Sequence, residues 1–124
     1  MLKDLDIKDL LTIGCGGFLG AIARFVICQS LTSIPGTLVA NIIGSFFLGV
    51  VMYHSEFLGY IPTRTRLFIG IGFLGSFTTF SSFAFYALQM SFVTSLAFIC
   101  ANIIPGLLGV LLGRAFIIYL GSRW

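Results

Sequence analysis

Four long apolar stretches, separated by short links, constrain what this chain can fold into more than any other feature. They cover about residues 10–31, 37–53, 67–88 and 93–119. A helix needs roughly 20 mostly apolar residues to cross the hydrocarbon core of a bilayer, and here 58% of the 124 residues are hydrophobic while 9% are charged. The sequence therefore predicts an all-α membrane protein, a single transmembrane domain over residues 1–124 with four helices in a lipid bilayer.

The links between these stretches are TSIPG, HSEFLGYIPTR and QMSF, and such short links make neighbouring helices antiparallel. The N-terminal segment MLKDLDIKDL carries charges of both signs and lacks a small-residue cleavage site. We therefore expect a short surface helix there rather than a signal peptide. Small residues recur at four-residue spacing, which lets helix backbones approach closely in lipid: Gly16 and Gly20; Gly36, Ala40 and Gly44; Ser45 and Gly49; Gly109 and Gly113.

Polar side chains inside the apolar stretches are rare, and they tend to mark function because hydrocarbon penalises them. No Asp or Glu lies within any stretch, which argues against a proton-coupled exporter and against a cation channel built on charged side chains. The remaining amide hydrogens, hydroxyl hydrogens and positive edges of phenylalanine rings suit an anion. The polar residues that carry this argument are Arg24, Asn41, Asn102 and, in the third stretch, Ser76, Thr78, Thr79, Ser81 and Ser82.

Each of these residues also has a purely structural interpretation. Serine and threonine in helices often bond to the carbonyl four residues earlier, and Asn41 and Asn102 can bridge helices. Phe80 and Phe83, three residues apart on one helix face, are elsewhere packing residues, and an arginine such as Arg24 can extend to the membrane surface. Their combination is what favours an ion pathway. Because four helices can hardly enclose such a pathway alone, we also expect the chain to form an oligomer.

The segment GIGFLGSFTTF predicts that the third helix is broken near its middle. It places Gly70, Gly72 and Gly75 ahead of the consecutive Thr78 and Thr79, and it is a poor helix sequence because glycine is permissive and β-branched residues are stiff. A broken membrane helix is tolerated where protein or a cavity surrounds the freed backbone, and its carbonyls can coordinate a cation such as Na⁺.

Three segments carry a resemblance to a known family. GGFLGAIARF, GTLVANIIGSFFLG and GFLGSFTTFSSF resemble the signature blocks of the Fluc/CrcB family of fluoride channels, in the same order and over nearly the whole chain. The resemblance implies a channel rather than an enzyme, which exports fluoride passively from the cytoplasm and so protects against its toxicity. It also implies an antiparallel, dual-topology dimer of four-helix subunits with two narrow pores and a central structural Na⁺ ion.

The same resemblance implies roles for individual residues. Gly75 and Thr78 match the positions whose backbone carbonyls hold the sodium ion, and Arg24 matches a structural charge that closes the first block. Tyr86 stands where the family usually has a glutamate, and only one residue of the fourth stretch aligns with the family's polar ladder. The fluoride pore is expected to involve Asn41, Phe80, Phe83, Thr37, Ser81, Ser82 and Asn102.

The basic residues are distributed very unevenly between the two ends of the predicted helices. Cytoplasmic loops are enriched in Lys and Arg, so we expect both termini in the cytoplasm and the chain in the cell membrane. An antiparallel homodimer needs both orientations and near-balanced charge, so a heterodimer with a second, homologous Fluc-type subunit is favoured over a homodimer, which stays open. Six of the seven basic residues lie on the side of the termini: Lys3, Lys8, Arg64, Arg66, Arg114 and Arg123.

Two other classes of protein stay open at this point. A small multidrug-type proton antiporter shares the size, the four spans and dual topology, but it needs the membrane carboxylate that is missing here. A non-conducting assembly subunit would use the glycines for packing and treat Phe80 and Phe83 as packing residues. Nothing in the sequence calls for a nucleic-acid partner.

Overall fold

The computed structural model describes residues 6–59 and 61–123, and these residues form helices and short connections without a strand. The first helix is Ile7–Leu31, the second Ser33–Phe57 and the fourth Phe92–Gly121, while the third is built from several pieces. Four segments are long and apolar enough to cross a membrane, so the prediction of an all-α chain with four candidate spans is confirmed. They are Ile7–Leu31, Ser33–His54, Thr63–Gln89 and Phe92–Gly121.

The third helix is interrupted in its middle, as predicted. Its N-terminal arm, residues 63–77, contains a π-helical section at Leu67–Leu74, and its C-terminal arm is Phe80–Gln89. Between the arms, Thr78 and Thr79 have extended backbones, with φ/ψ of −78°/157° and −148°/125°. The glycines before this point lower the cost of leaving the α-helical conformation, and two consecutive β-branched residues favour the extended one.

The link TSIPG between the first two helices was predicted to be too long, because the second helix begins earlier than the apolar pattern indicates. Only Thr32 separates the first two helices, with φ 66° and ψ 160°, and the Gly36 N–H donates to the Thr32 carbonyl at 2.9 Å. Pro35 is tolerated because a helix leaves its first N–H groups without intrahelical partners, so the missing N–H of proline costs no bond there. The last link is likewise shorter than QMSF and consists of Met90 and Ser91.

The prediction of a separate surface helix at the N-terminus is wrong for the residues that the structure describes. The first helix starts at Ile7 after a capping box formed by Asp6 and Asp9, and it continues without interruption into the first span. The cap satisfies N–H groups that the start of a helix leaves free. Lys3 and the other residues before position 6 lie outside the described part of the chain.

Glycines bring the helices into backbone contact in two pairs. The first helix packs on the N-terminal arm of the third, where a Cβ atom on Gly20 would overlap the carbonyl of Phe73. The second packs on the fourth, where a Cβ on Gly113 would overlap the Phe46 carbonyl and lie 2.9 Å from the Val50 nitrogen. Such close approach is how helices associate in lipid, where dispersion contacts replace the hydrophobic effect as the main attraction.

The ends of the first and third helices on the side of the N-terminus are joined by an ion pair. The Arg64 Nε lies 3.1 Å from the Asp9 Oδ1. Because the pair is partly exposed to water, it stabilises the fold by at most about 1 kcal/mol. It does place Arg64 at the same end of the bundle as the start of the first helix, in agreement with the antiparallel arrangement of neighbouring helices.

We predict that Gly20→Ala destabilises the chain, by about 1–3 kcal/mol for an overpacked contact, since its methyl group meets backbone that cannot rotate away. Gly14→Ala, on the same helix, is the matched control because a Cβ there meets nothing within 4 Å. Thermal unfolding of the purified variants in detergent measures the difference. Equal midpoints for the two variants would contradict the close packing described here.

Candidate functional site

An open groove of about 380 Å³ lies between the second helix, the break and the fourth helix. It brings together residues from three places in the sequence, among them five that the sequence analysis assigned to an ion site. The lining residues are Asn41, Ser45, Leu48, Thr78, Thr79, Phe80, Phe83, Asn102, Ile103, Gly106, Leu107 and Val110. The groove is therefore a mixture of amide, hydroxyl, aromatic and aliphatic groups without a charged side chain among these residues.

The Asn41 side chain binds both backbone groups of Thr79. Its Oδ1 accepts a hydrogen bond from the Thr79 N–H at 2.8 Å, and its Nδ2 donates to the Thr79 carbonyl at 3.1 Å. A break in a membrane helix exposes backbone polar groups that water cannot reach, and each must find a partner in the protein. The side chain of Asn41 supplies that partner in the way that a neighbouring strand would.

Asn41 also connects the break to the fourth helix. Its Nδ2 donates a second hydrogen bond, at 3.2 Å, to the Oδ1 of Asn102. An asparagine amide has two hydrogens, so Asn41 gives both of them to the protein and none to the groove. Asn102, which is 6% exposed, donates one amide hydrogen to the Phe98 carbonyl at 3.1 Å. Its other amide hydrogen has no partner among residues 6–59 and 61–123.

Thr79 lines the groove, although no role in the pore or the sodium site was predicted for it from the sequence. It is buried, and its hydroxyl oxygen accepts from the Ser82 N–H at 3.2 Å, which makes it the N-cap of the C-terminal arm. The hydroxyls of Ser81 and Ser82 lie 3.2 and 3.3 Å from the same oxygen. A threonine directly before an apolar helical segment is a recognised N-cap pattern, so TTFSSF carried the signal.

The break leaves the last carbonyl groups of the N-terminal arm without their usual helical donors, and the two that the resemblance assigns to a cation are among them. In a continuous helix the Gly75 carbonyl would accept from the Thr79 N–H, which here binds Asn41. The Thr78 carbonyl would accept from the Ser82 N–H, which here binds the Thr79 hydroxyl. Carbonyl oxygens freed in this way suit a hard cation, so the chemistry of Gly75 and Thr78 fits Na⁺.

The two phenylalanines at the start of the C-terminal arm lie against each other. Their ring centroids are 5.5 Å apart with an angle of 55° between the planes. Phe83 is 9% exposed and also contacts Phe98, at a centroid distance of 5.8 Å. Phe80 is 79% exposed, so one ring of the pair is fixed by packing within the chain and the other extends outward.

Several residues assigned by resemblance lie outside the lining of the groove. Thr37 is 1% exposed, and its hydroxyl donates to the Ser33 carbonyl at 2.8 Å within its own helix. Arg24 is half-buried on the first helix. Ser81 and Ser82 take part in the cap at Thr79. Their roles in ion conduction stay predictions. Of these bonds, that of Thr37 is the bond to the carbonyl four residues earlier that a purely structural interpretation expects.

Tyr86, at the position where the resemblance implies a glutamate, lies on the C-terminal arm three residues after Phe83. Its ring packs edge-on against Phe85, with a centroid distance of 5.7 Å and an interplanar angle of 65°. It is half-buried. The position therefore carries an aromatic packing contact rather than a negative charge.

Comparisons with known proteins agree on one family. Residues 11–114 match the family described as CrcB-like protein, Camphor Resistance (CrcB). The chain is 47% identical over 120 residues to "Fluoride-specific ion channel FluC 2" of Methanosarcina mazei, covering 97% of this chain and 95% of the relative. Two proteins of Methanosarcina acetivorans are also similar. Its "FluC 2" is 45% identical, covering 98% and 96%, and its "FluC 1" is 41% identical, covering 91% and 87%.

We predict that Asn41→Ala destabilises the chain by about 2–6 kcal/mol, because two buried backbone groups of Thr79 lose partners worth about 1–3 kcal/mol each. Hydrogen–deuterium exchange over residues 74–80 should accelerate, and the unfolding midpoint should fall. Ser30→Ala is the control, since that hydroxyl bonds only the Val26 carbonyl of its own helix. Unchanged exchange in Asn41→Ala would show that another interaction holds the break.

Proposed function

This chain belongs to the CrcB-like protein family, and we propose that it is a fluoride-selective ion channel. It carries fluoride passively out of the cytoplasm and so protects the cell from fluoride toxicity. The observation that carries the proposal is the groove at the break, which combines uncharged hydrogen-bond donors with phenylalanine rings. No enzyme activity is part of the proposal.

The donor set of the groove matches the chemistry of fluoride. Fluoride is small and strongly hydrated, so a selective path must replace its water with closely spaced donors. The amide of Asn102 and the ring edges of Phe80 and Phe83 provide such donors. The C-terminal arm also begins at Phe80, and the first N–H groups of a helix carry partial positive charge. None of these groups is a full charge, so binding is weak enough to let the ion leave.

A second subunit completes the groove in this proposal. The groove is open in the single chain. Without a second subunit its polar groups would face hydrocarbon, where an unsatisfied polar group costs roughly several kcal/mol. Phe80, largely exposed, and Gly75, also exposed, lie where an antiparallel copy or homologue would cover them. The Gly75 and Thr78 carbonyls then hold a structural Na⁺ ion between the two subunits.

The partner we propose is a homologous subunit inserted in the opposite direction. The described basic residues on the side of the termini are Lys8, Arg64, Arg66, Arg114 and Arg123, and this bias directs both termini to the cytoplasm. One orientation alone builds only half of an antiparallel pair. Methanosarcina acetivorans has relatives named "FluC 1" and "FluC 2", which supports a two-gene arrangement over a homodimer.

We predict that the purified channel, alone or with its partner subunit, releases fluoride from loaded proteoliposomes much faster than chloride. Phe83→Ile should slow fluoride release at least about tenfold, which corresponds to about 1.4 kcal/mol in the barrier, because isoleucine fills similar space without a ring edge. A fluoride-selective electrode measures the release, and size-exclusion chromatography checks assembly.

The matched control is Phe85→Ile on the same arm, whose ring packs on Tyr86 outside the groove. It should transport at the rate of the unmodified channel. Equal release of chloride and fluoride by the unmodified channel would overturn the proposed function. Unchanged transport by the Phe83→Ile variant would show that this ring has only a packing role. Absence of any ion release would favour a non-conducting assembly subunit.

We also predict that this chain inserts mainly in one orientation. A cysteine-bearing tag on either terminus should react with a membrane-impermeant maleimide only after the cytoplasmic side is opened. A variant in which Arg64 and Arg66 are both changed to Gln, with the same tag, should insert less uniformly because the bias is reduced. Equal labelling of the unmodified chain from both sides would contradict the heterodimer and favour an antiparallel homodimer.

A further inference from the structure

Ser45 presents a hydroxyl to the groove that no other described residue uses. It lies one helical turn after Asn41 on the second helix, it is half-buried, and it lines the groove. Its Oγ has no hydrogen-bond partner among residues 6–59 and 61–123. We infer that this hydroxyl is an ion-contacting donor that, with the spare amide hydrogen of Asn102, forms the path of the anion. The inference rests on the proposed function and deepens it.

The free hydroxyl of Ser45 differs from the hydroxyls of Thr37 and Thr78, which bond within their own helices. A serine or threonine in a membrane helix commonly donates to the carbonyl four residues earlier. Thr37 does so to Ser33 at 2.8 Å, and Thr78 to Leu74 at 3.0 Å. Ser45 makes no such bond to the carbonyl of Asn41, and a half-buried hydroxyl without a partner is costly away from water. Its hydrogen is therefore available to a group that occupies the groove.

The fourth helix leaves space directly opposite this hydroxyl. Gly106 lies one turn after Asn102, and the Ser45 Oγ is 3.5 Å from where a Cβ on Gly106 would stand. The fourth helix itself offers no hydroxyl at this level, and one turn further it has Val110. The donor at this level comes from the second helix instead, through Ser45.

The Asn102 amide and the Ser45 hydroxyl are close enough for a small anion to pass from one hydrogen-bond donor to the next. Asn102 and Gly106 are four residues apart on one helix, a rise of about 6 Å, and Ser45 lies beside Gly106. An anion moving along the groove passes from the Asn102 amide to the Ser45 hydroxyl within about that distance. Asn41, whose amide hydrogens are both engaged, then acts as the positioning residue that holds Asn102 and Thr79 in place.

The experiment measures fluoride release from proteoliposomes containing the assembled channel with Ser45→Ala, Ser45→Cys or Ser30→Ala. We expect Ser45→Ala to slow fluoride release about tenfold and to raise the fluoride concentration that half-saturates transport. Ser45→Cys, which retains a weak donor, should fall between alanine and the unmodified channel. Ser30→Ala should leave the rate unchanged, because Ser30 lies outside the groove and bonds within its own helix.

The order serine, cysteine, alanine separates hydrogen bonding from packing, since a packing effect would not follow donor strength or shift the half-saturating concentration. If the unmodified channel carries fluoride and both Ser45 variants transport as it does, the role of Ser45 is overturned while the proposed function stands. If the unmodified channel carries no fluoride, the proposed function fails and this inference fails with it. Should Ser45→Ala not assemble, Ser45→Cys decides alone, and transport equal to that of the unmodified channel overturns the role.

Discussion

The two hydrogen bonds between the Asn41 side chain and the Thr79 backbone are the interaction on which the site depends. In hydrocarbon a broken helix is stable only if its freed backbone groups are satisfied, and Asn41 satisfies both groups of Thr79. That allows the C-terminal arm to begin anew at Phe80, which sets the position of the phenylalanine pair. It also diverts the N–H group that would otherwise occupy the Gly75 carbonyl, so one interaction accounts for the amide, aromatic and carbonyl parts of the site.

The hydrogen bonds between Asn41 and Thr79 can form only because the helices approach each other closely. A Cβ on Gly44 would overlap the Thr78 side chain and lie 3.2 Å from the Phe77 ring, so glycine at this position lets the second helix reach the break. On the opposite side, Gly109 and Gly113 bring the fourth helix against the second, and the amides of Asn41 and Asn102 meet at 3.2 Å. The small residues thus serve the site indirectly, through the distances that they permit.

Much of the fold follows from local properties of the sequence. The apolar stretches indicate four helices because length and hydropathy are sufficient to place a membrane span, and the glycines before Thr78 indicate the break. Errors arose at the helix ends, where the second helix continues back to Ser33. Pro35 and Gly36 were predicted to belong to a link, yet proline fits the first turn of a helix. Phe80 and Phe83 were correctly placed on one face because residues three apart on a helix always are.

By itself the sequence determined the four helices, the interruption of the third and the absence of Asp and Glu from the apolar stretches, because each depends on composition or on neighbouring residues. Only the tertiary structure decided which donors stay free. Asn41 bonds Thr79 and Asn102, which lie 38 and 61 positions away, and these bonds consume the amide hydrogens that the sequence analysis assigned to an ion. The role of Ser45 could not be predicted from the sequence for the same reason. Whether a hydroxyl is free or hydrogen-bonded depends on the groups that other helices place beside it, and a local sequence pattern does not contain that information.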